Sequence, residues 1–205
     1  MSVPELVLAT GNAGKVREMQ ALLDGLGWRV VPQSRLGVPE AEETGLGFID
    51  NALIKARHAA RHTGLPALAD DSGLACDALE GAPGIYSARY AGVGASDAAN
   101  IEKLLHALSN TAPAARRCRF FCAIAFVRHA ADPCPIIAEG AWEGRVALTP
   151  RGTQGFGYDP VFEVVEMGLT AAELDPATKQ RLSHRGQALT RFIARLTNAG
   201  GQHAG

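Results

Sequence analysis

Four short stretches of this sequence hold side chains that could do chemistry. The first is Thr10-Gly11-Asn12-Ala13-Gly14-Lys15, which lies between an apolar run and a segment of helical spacing. A loop entering a helix presents backbone N–H groups and the positive end of the helix dipole to an anion, and Lys15 adds a full charge. The stretch is not a Walker A loop: it reads Gly-x-x-Gly-Lys, and Val16 stands where Ser or Thr would bind magnesium. The second stretch, Asp70-Asp71-Ser72-Gly73, follows the apolar residues Ala67, Leu68 and Ala69. Two adjacent carboxylates there need a partner such as a cation, and magnesium favours one or two carboxylates combined with phosphate oxygens. The same four residues are also good turn or cap chemistry, and spacing alone leaves both readings open. The loop acids Glu40, Glu42 and Glu43 are, taken by themselves, solvated charges.

The third stretch is Gly155-Phe156-Gly157-Tyr158-Asp159-Pro160. Glycines beside aromatic rings let a flat ligand approach the backbone and stack, and stacking of a base is worth about 1–3 kcal/mol. The alternative is a turn whose rings complete a core. The fourth is Ser183-His184-Arg185-Gly186, with Lys179 four residues before Ser183. His184 and Arg185 fall in the first turn of a helix capped by Ser183. Cations there oppose the helix dipole, which points to a ligand as their purpose.

The elements that would position these residues follow from apolar periodicity. Residues 6–9 read as a buried strand. Val16, Met19, Leu22, Leu23 and Leu26 then mark a helix, which Gly25 and Gly27 suit as an end, and 28–31 is a second strand. Residues 48–61 read as a helix with Asn51 and Lys55 on a shared face. Residues 65–69 form a strand that ends at the two aspartates, with 74–79 as a candidate continuation. Ser96 or Asp97 caps a helix running to Leu108. Residues 119–128 are a strand, 136–148 one or two strands of a meander, 149–159 a glycine-rich loop, and 160–165 a short strand. Residues 170–180 read as a helix. The last helix carries Ala188, Leu189, Phe192, Ile193 and Leu196 as its apolar stripe. Alternation of strands and helices predicts an α/β fold, and there is neither an internal repeat nor a long linker.

Bulk properties narrow the function. The 205 residues are 47% hydrophobic and 20% charged, as expected of a globular chain. The formal net charge is −1, from 20 basic and 21 acidic residues. That balance argues against a nucleic-acid partner, whose phosphates call for a basic excess, and leaves room for a small anion in a local basic pocket. Cys76, Cys118, Cys122 and Cys134 form no CxxC pair and lack a histidine at zinc-finger spacing, so reduced, mostly buried thiols in a cytosolic protein are expected. The first residues lack the pattern of a signal peptide, and no apolar run is long enough for a membrane span.

Taken in order, the four stretches resemble the inosine-triphosphate pyrophosphatase family, the Ham1- or RdgB-like dITP/XTP pyrophosphatases. The resemblance rests on ATGNAGKVRE, AEETGLGFIDNALIKARHAA, ALADDSGLACDALEGAPGIYSARYAG, GFGYDPVF, and TAAEL followed by KQRLSHRGQAL, spanning roughly residues 7 to 189. It implies an elongated, two-lobed α/β fold with a long mixed sheet, an active site in the cleft between the lobes, and a bacterial-type, cytoplasmic homodimer. Residues 1–198 would form the two-lobed domain and 199–205 a flexible tail. Carried over by motif, Thr10, Gly11, Asn12, Ala13, Gly14 and Lys15 would hold the triphosphate. Glu42 and Asp71 would bind magnesium, or manganese in its place, and Asp71 would accept the proton of the attacking water. Ser72 would contact substrate, Phe156 would stack on the base near Gly157, Tyr158 and Asp159, and Lys179, His184 and Arg185 would complete the nucleotide site. Two departures stand out: Gln154 precedes Gly155 where relatives often have Gly-Gly, and the end of the chain after Leu196 has no clear counterpart. The activity implied is hydrolysis of dITP, ITP and XTP to the monophosphate and pyrophosphate. A pyrophosphatase for modified pyrimidines or dUTP, a non-catalytic nucleotide-binding regulator and an RNA-binding module are the rival readings. The full set of acids favours an enzyme over a regulator, and the charge balance disfavours RNA.

Overall fold

The computed structural model describes residues 3–23 and 27–200. The chain opens with β1 (Glu5–Leu8), α1 (Ala13–Leu23) and β2 (Arg29–Pro32). β2 runs parallel to β1, with Glu5 opposite Arg29 and Leu8 opposite Pro32. α2 (Phe48–Thr63) leads to β3 (Ala67–Cys76), parallel to β1 through Val7–Ala67 and Leu8–Leu68. After α3 (Asp97–Ala107) come β4 (Arg117–Val127), β5 (Ile136–Val146), β6 (Phe162–Val164), β7 (Leu169–Thr170), α4 (Pro176–Leu182) and α5 (His184–Gly200). β5, β6 and β7 pair antiparallel. The strands form one mixed sheet in the order β2-β1-β3-β4-β5-β6-β7, which is the expected α/β class.

Two sequence expectations need correction, and a third, which left one or two strands open over 136–148, resolves to one. The strand expected at 65–69 does not stop at the aspartates: β3 passes unbroken through Asp70, Asp71, Ser72 and Gly73 as part of a ten-residue strand. The turn reading of that stretch is thereby overturned. Residues 136–148 hold a single strand, with two glycines inside it. At Gly144 a Cβ would lie 2.7 Å from the Glu163 carbonyl oxygen and 2.6 Å from the Phe162 ring, so glycine marks a close approach of β6 and no turn. The helix expected over 170–180 is two pieces, a 3₁₀ turn over Ala171–Glu173 and then α4. Pro176 at the first helical position keeps Asp175 extended, and Asp175 caps α4 by accepting from the Thr178 N–H. Gly25 and Leu26, expected at the end of α1, lie outside the described residues. α5 continues through Gly200, and the rest of the expected tail also lies outside them.

The chain divides into two compact units. The described residues of Met1–Asp71, Cys122–Glu139 and Gln187–Gly205 make the first, and Ser72–Phe121 with Gly140–Gly186 make the second. The first is built around Leu6, Leu8, Met19, Leu68, Ile124, Phe126, Leu189 and Phe192. The second is built around Leu74, Leu104, Leu108, Phe120, Trp142, Tyr158, Val161 and Phe162. The cysteines are free thiols, buried at Cys76, Cys118 and Cys122 and exposed at Cys134. No described helix is long and apolar enough to cross a membrane.

In the first unit the turn from β4 to β5 is organised by Asp132. Its side chain is buried and accepts from the Arg128 N–H at 2.9 Å, the Arg128 guanidinium at 2.7 Å and the Cys134 N–H at 2.9 Å. Burial alone would raise this carboxyl, but the three donors outweigh it and hold it at about 2, below the ordinary 3.8. A carboxyl depressed in the fold contributes stability that is complete above its unfolded pKa and is lost as pH falls to its folded one. The melting temperature of the wild-type chain should therefore fall more steeply between pH 5 and pH 2 than that of Asp132→Asn. Parallel curves through that window would refute the assignment.

Candidate functional site

In the first unit the phosphate-type loop is shaped by its own side chains. The Asn12 carboxamide oxygen accepts from the Gly14 and Lys15 N–H groups at 2.8 and 3.1 Å and so caps α1. Thr10 Oγ1 accepts from the Asn12 N–H at 3.2 Å. Gly11 lies close to the end of the Glu40 side chain, whose carboxylate accepts from Gln33 Nε2 at 3.2 Å, so a Cβ there would make that carboxylate shift. Lys15, in the first turn of α1, reaches Asp70 Oδ2 at 2.9 Å, and the Asp70 side chain is fully buried.

Asp71 is met by α2. Lys55 Nζ lies 2.8 Å from Asp71 Oδ1 and 3.0 Å from Glu43 Oε1, and Asn51 Nδ2 lies 3.5 Å from Asp71 Oδ2. The Asn51 carbonyl oxygen also accepts from the Gly45 N–H at 2.8 Å, which ties the acidic loop to the helix. Three carboxylates (Glu43, Asp70, Asp71) thus stand with two ammonium groups (Lys15, Lys55), an excess of one negative charge. Burial raises Asp71 above the usual carboxylate range, more than Lys55 and Lys15 together lower it. Burial pushes Lys55 down, but Asp71, Asp70 and Glu43 outweigh this and its net shift is upward. Both groups hold protons more tightly than usual, Asp71 because of burial and Lys55 because of the carboxylates around it. The cluster can bind a cation, and Asp71 can accept a proton.

The acidic loop differs from its sequence reading in one respect. Glu43 is the acid placed on Lys55, while Glu42 is exposed. Among the described residues no group of three or more His, Cys, Asp or Glu side chains is arranged to enclose a metal ion. A protein cage is not required for magnesium, which is commonly held by one or two carboxylates with substrate phosphates. The excess negative charge around Asp71 fits that mode.

The second unit gathers the other predicted residues. Phe156 and Gly157 lie on the loop before β6, and Gly155 and Gly157 adopt φ of +82° and +62°. Asp159 Oδ2 accepts from the Phe156 N–H at 2.8 Å and from Lys179 Nζ at 2.6 Å. Lys179 Nζ and Arg185 Cζ lie 5.3 and 5.7 Å from the Phe156 ring centroid. Arg185 also donates to Ser72 Oγ at 3.1 Å. Ser183 Oγ accepts from the Gly186 N–H at 3.1 Å and caps α5 as expected. Tyr158 is buried, with its hydroxyl donating to the Ser87 carbonyl at 2.9 Å, so it belongs to the core and supports the loop. The His184 ring is stacked on Phe120 at 4.8 Å and is buried. The structure therefore brings Ser72, Phe156, Asp159, Lys179 and Arg185 together and packs His184 behind them.

Sequence reasoning missed Lys55, Asn51 and Glu43 as partners of Asp71. The available signal was the shared face of Asn51 and Lys55 on a helix that is otherwise alanine-rich. A lysine among Ala52, Ala56, Ala59 and Ala60 is a candidate for burial with a partner.

The model of the Ham1 family matches residues 6–195 of this chain. The dITP/XTP pyrophosphatase of Thioalkalivibrio sulfidiphilus is 60% identical over 192 residues, which cover 94% of this chain and 98% of that one. That of Yersinia pseudotuberculosis is 58% identical over 195 residues, covering 95% and 99%. Among solved structures, a HAM1 protein from Coxiella burnetii superposes with TM-score 0.89 at 52% identity over 95% of this chain and 99% of that one. The Ham1 protein of Staphylococcus aureus gives 0.85 at 39% identity over the same shares.

The Lys55–Asp71 pair yields a pH test. Lys55→Met removes the ammonium 2.8 Å from Asp71 and leaves burial unopposed by its largest counter-charge. The acidic limb of any activity that needs ionised Asp71 should then move to higher pH. Asp71 is already raised in the fold, so its ionisation opposes folding as pH rises through the ordinary value of 3.8 to the folded one. Asp71→Asn should accordingly melt no lower than the wild-type chain at pH 8. A marked loss of thermal stability in Asp71→Asn would overturn this electrostatic account.

Proposed function

The chain belongs to the Ham1 family, and from that premise we propose that it hydrolyses non-standard purine nucleoside triphosphates (dITP, ITP and XTP) to the monophosphate and pyrophosphate. The observation that carries the proposal is Asp71, a buried carboxylate with a raised proton affinity that Lys55 of α2 contacts, beside Asp70, which Lys15 of α1 contacts. The names of the relatives, dITP/XTP pyrophosphatases at 58–60% identity, support the substrate class.

The chemistry is attack of water on the α-phosphorus, with pyrophosphate leaving. Asp71 orients the water and takes its proton, a task suited to a carboxyl raised above its usual range. Lys15, Lys55 and the N–H groups of the Thr10–Lys15 loop supply positive charge for the phosphates and the departing pyrophosphate. The residues that would hold magnesium, or manganese in its place, are Asp71 and an acid of the Glu42–Glu43 pair, of which Glu43 stands nearer the cluster. When bound, the ion would draw negative charge from the phosphate oxygens.

The base is assigned to Phe156, with Arg185, Lys179 and Ser72 around it. Hypoxanthine and xanthine carry a keto oxygen at position 6, which accepts from a guanidinium, whereas adenine presents an amino group there and meets a donor with a donor. A polar site rejects such a mismatch strongly. Guanine shares the keto oxygen, so its exclusion must involve the 2-position.

Pyrophosphate release from dITP, XTP, ITP, dGTP and ATP, with and without magnesium and with the nucleotide product identified, tests the proposal. Rapid metal-dependent turnover of the first three, and little of the last two, is expected. Release of single phosphate would point to a different phosphatase, and binding without turnover to a regulator. In the same assay Arg185→Ala should raise KM for ITP more than for ATP. Equal effects would remove Arg185 from base selection.

A further inference from the structure

The loop that carries Phe156 is not fixed by packing on both sides. Within the second unit a cavity of about 530 Å³ opens between this loop and α3, with Asp97, Ile101, Leu105, Gln154 and Phe156 among its lining residues. The glycines on either side of Phe156 both have positive φ, which gives this stretch of backbone more freedom than any other pair of residues would. Two carboxylates set the loop instead, acting on consecutive amides. Asp159, within the motif, takes the Phe156 N–H at 2.8 Å. Asp97, sixty residues away in the chain, takes the Gly157 N–H through Oδ2 at 2.6 Å. A carboxylate accepting from a backbone amide is among the stronger hydrogen bonds.

Asp97 is not needed as the cap of its own helix. Ser96 fills that position, its Oγ accepting from the Ala99 N–H at 3.2 Å. The Asp97 side chain turns to the loop across the cavity mouth. With Asp159 it holds the two peptide units on either side of Phe156, so the two together fix how the Phe156 ring is presented.

We infer that Asp97 is a positioning residue for base recognition: through the Gly157 amide it sets the ring on which the base stacks. The inference rests on the assignment of Phe156 as the base platform. It predicts a loss confined to the base end of the substrate, because the phosphate-binding groups lie on other segments.

The test compares wild type, Asp97→Ala and Asp97→Asn by steady-state turnover of ITP, product inhibition by pyrophosphate, amide hydrogen exchange and thermal melting. Asp97→Ala should raise KM for ITP about tenfold with kcat changed by less than about twofold, the size expected for one charge-assisted hydrogen bond. Inhibition by pyrophosphate, which has no base, should be unchanged. The Gly157 amide should exchange faster in Asp97→Ala, and Asp97→Asn, which keeps an acceptor oxygen, should restore part of both effects. A matching loss of pyrophosphate affinity, or of melting temperature in both variants, would mean a merely structural role and overturn the inference. So would faster exchange with KM unaltered. Failure of the wild-type chain to turn over ITP would instead sink the substrate assignment. The exchange measurement needs no substrate, and a Gly157 amide indifferent to Asp97→Ala overturns the inference in either case.

Discussion

Two carboxylates at consecutive positions inside a buried β-strand are the constraint around which the first unit is arranged. Successive residues of a strand face opposite sides of the sheet, so Asp70 and Asp71 take different lysines as their contact partners, although each also feels the other's lysine. Each is met by its own helix: Lys15 from the start of α1 reaches Asp70, and Lys55 from the middle of α2 reaches Asp71. An unpaired charge at either place would cost several kcal/mol. The crossover from β1 through α1 and the placement of α2 before β3 are thus tied to electrostatics as well as to the apolar core. The pairing is incomplete by one charge, because Glu43 also leans on Lys55. Burial keeps Asp71 more basic than an ordinary aspartate, and the deficit leaves the cluster attractive to a cation.

Much of this was legible in the sequence, for identifiable reasons. The loop before α1, the cap at Ser183 and the helix at 48–61 follow from local chemistry, which acts over a few residues. Where the sequence misled, a distant contact overrode local preference. Asp-Asp-Ser-Gly has turn character, yet it stays in a strand because lysines sixteen and fifty-five positions earlier neutralise it. Over 136–148 the sequence left one or two strands open, and Gly144 inside the single strand answers the approach of Phe162 from another strand. Asp97 gave no signal at all: an acid in the first turn of a helix is explained by the helix dipole, and its hydrogen bond to Gly157 spans sixty residues.

The two sets of site residues are preorganised by different means. In the first unit the groups proposed to react stand on a strand and two helices, elements whose geometry is fixed by backbone hydrogen bonds and by a dense core of Leu6, Leu8, Leu68 and Phe192. In the second unit the aromatic platform sits on a glycine-flanked loop, and carboxylates replace packing as its restraint. Proton transfer tolerates little displacement, whereas stacking tolerates some sliding of one ring over another. Rigid elements therefore suit the phosphate chemistry, and a tethered loop suits a base that must enter and leave. Because Asp71 and Ser72 are consecutive residues of β3, a single peptide bond joins the residue assigned to proton transfer to one assigned to the base side.

The start of α5 separates two cations that sequence alone treats alike. His184 and Arg185 both occupy the first helical turn, where a positive charge opposes the dipole, and that opposition first marked them as ligand-binding. For His184 packing supplies a sufficient reason: its ring lies on Phe120 with an interplanar angle of 14° and continues the core of the second unit. Packing does not account for Arg185 in the same way. Its guanidinium is directed to Ser72 and to the ring of Phe156, two residues assigned to the base on independent grounds. A guanidinium is always charged, so it cannot relieve its opposition to the dipole by losing a proton. Of the two residues, Arg185 is the one directed to Phe156 and Ser72, and His184 is the one packed on Phe120.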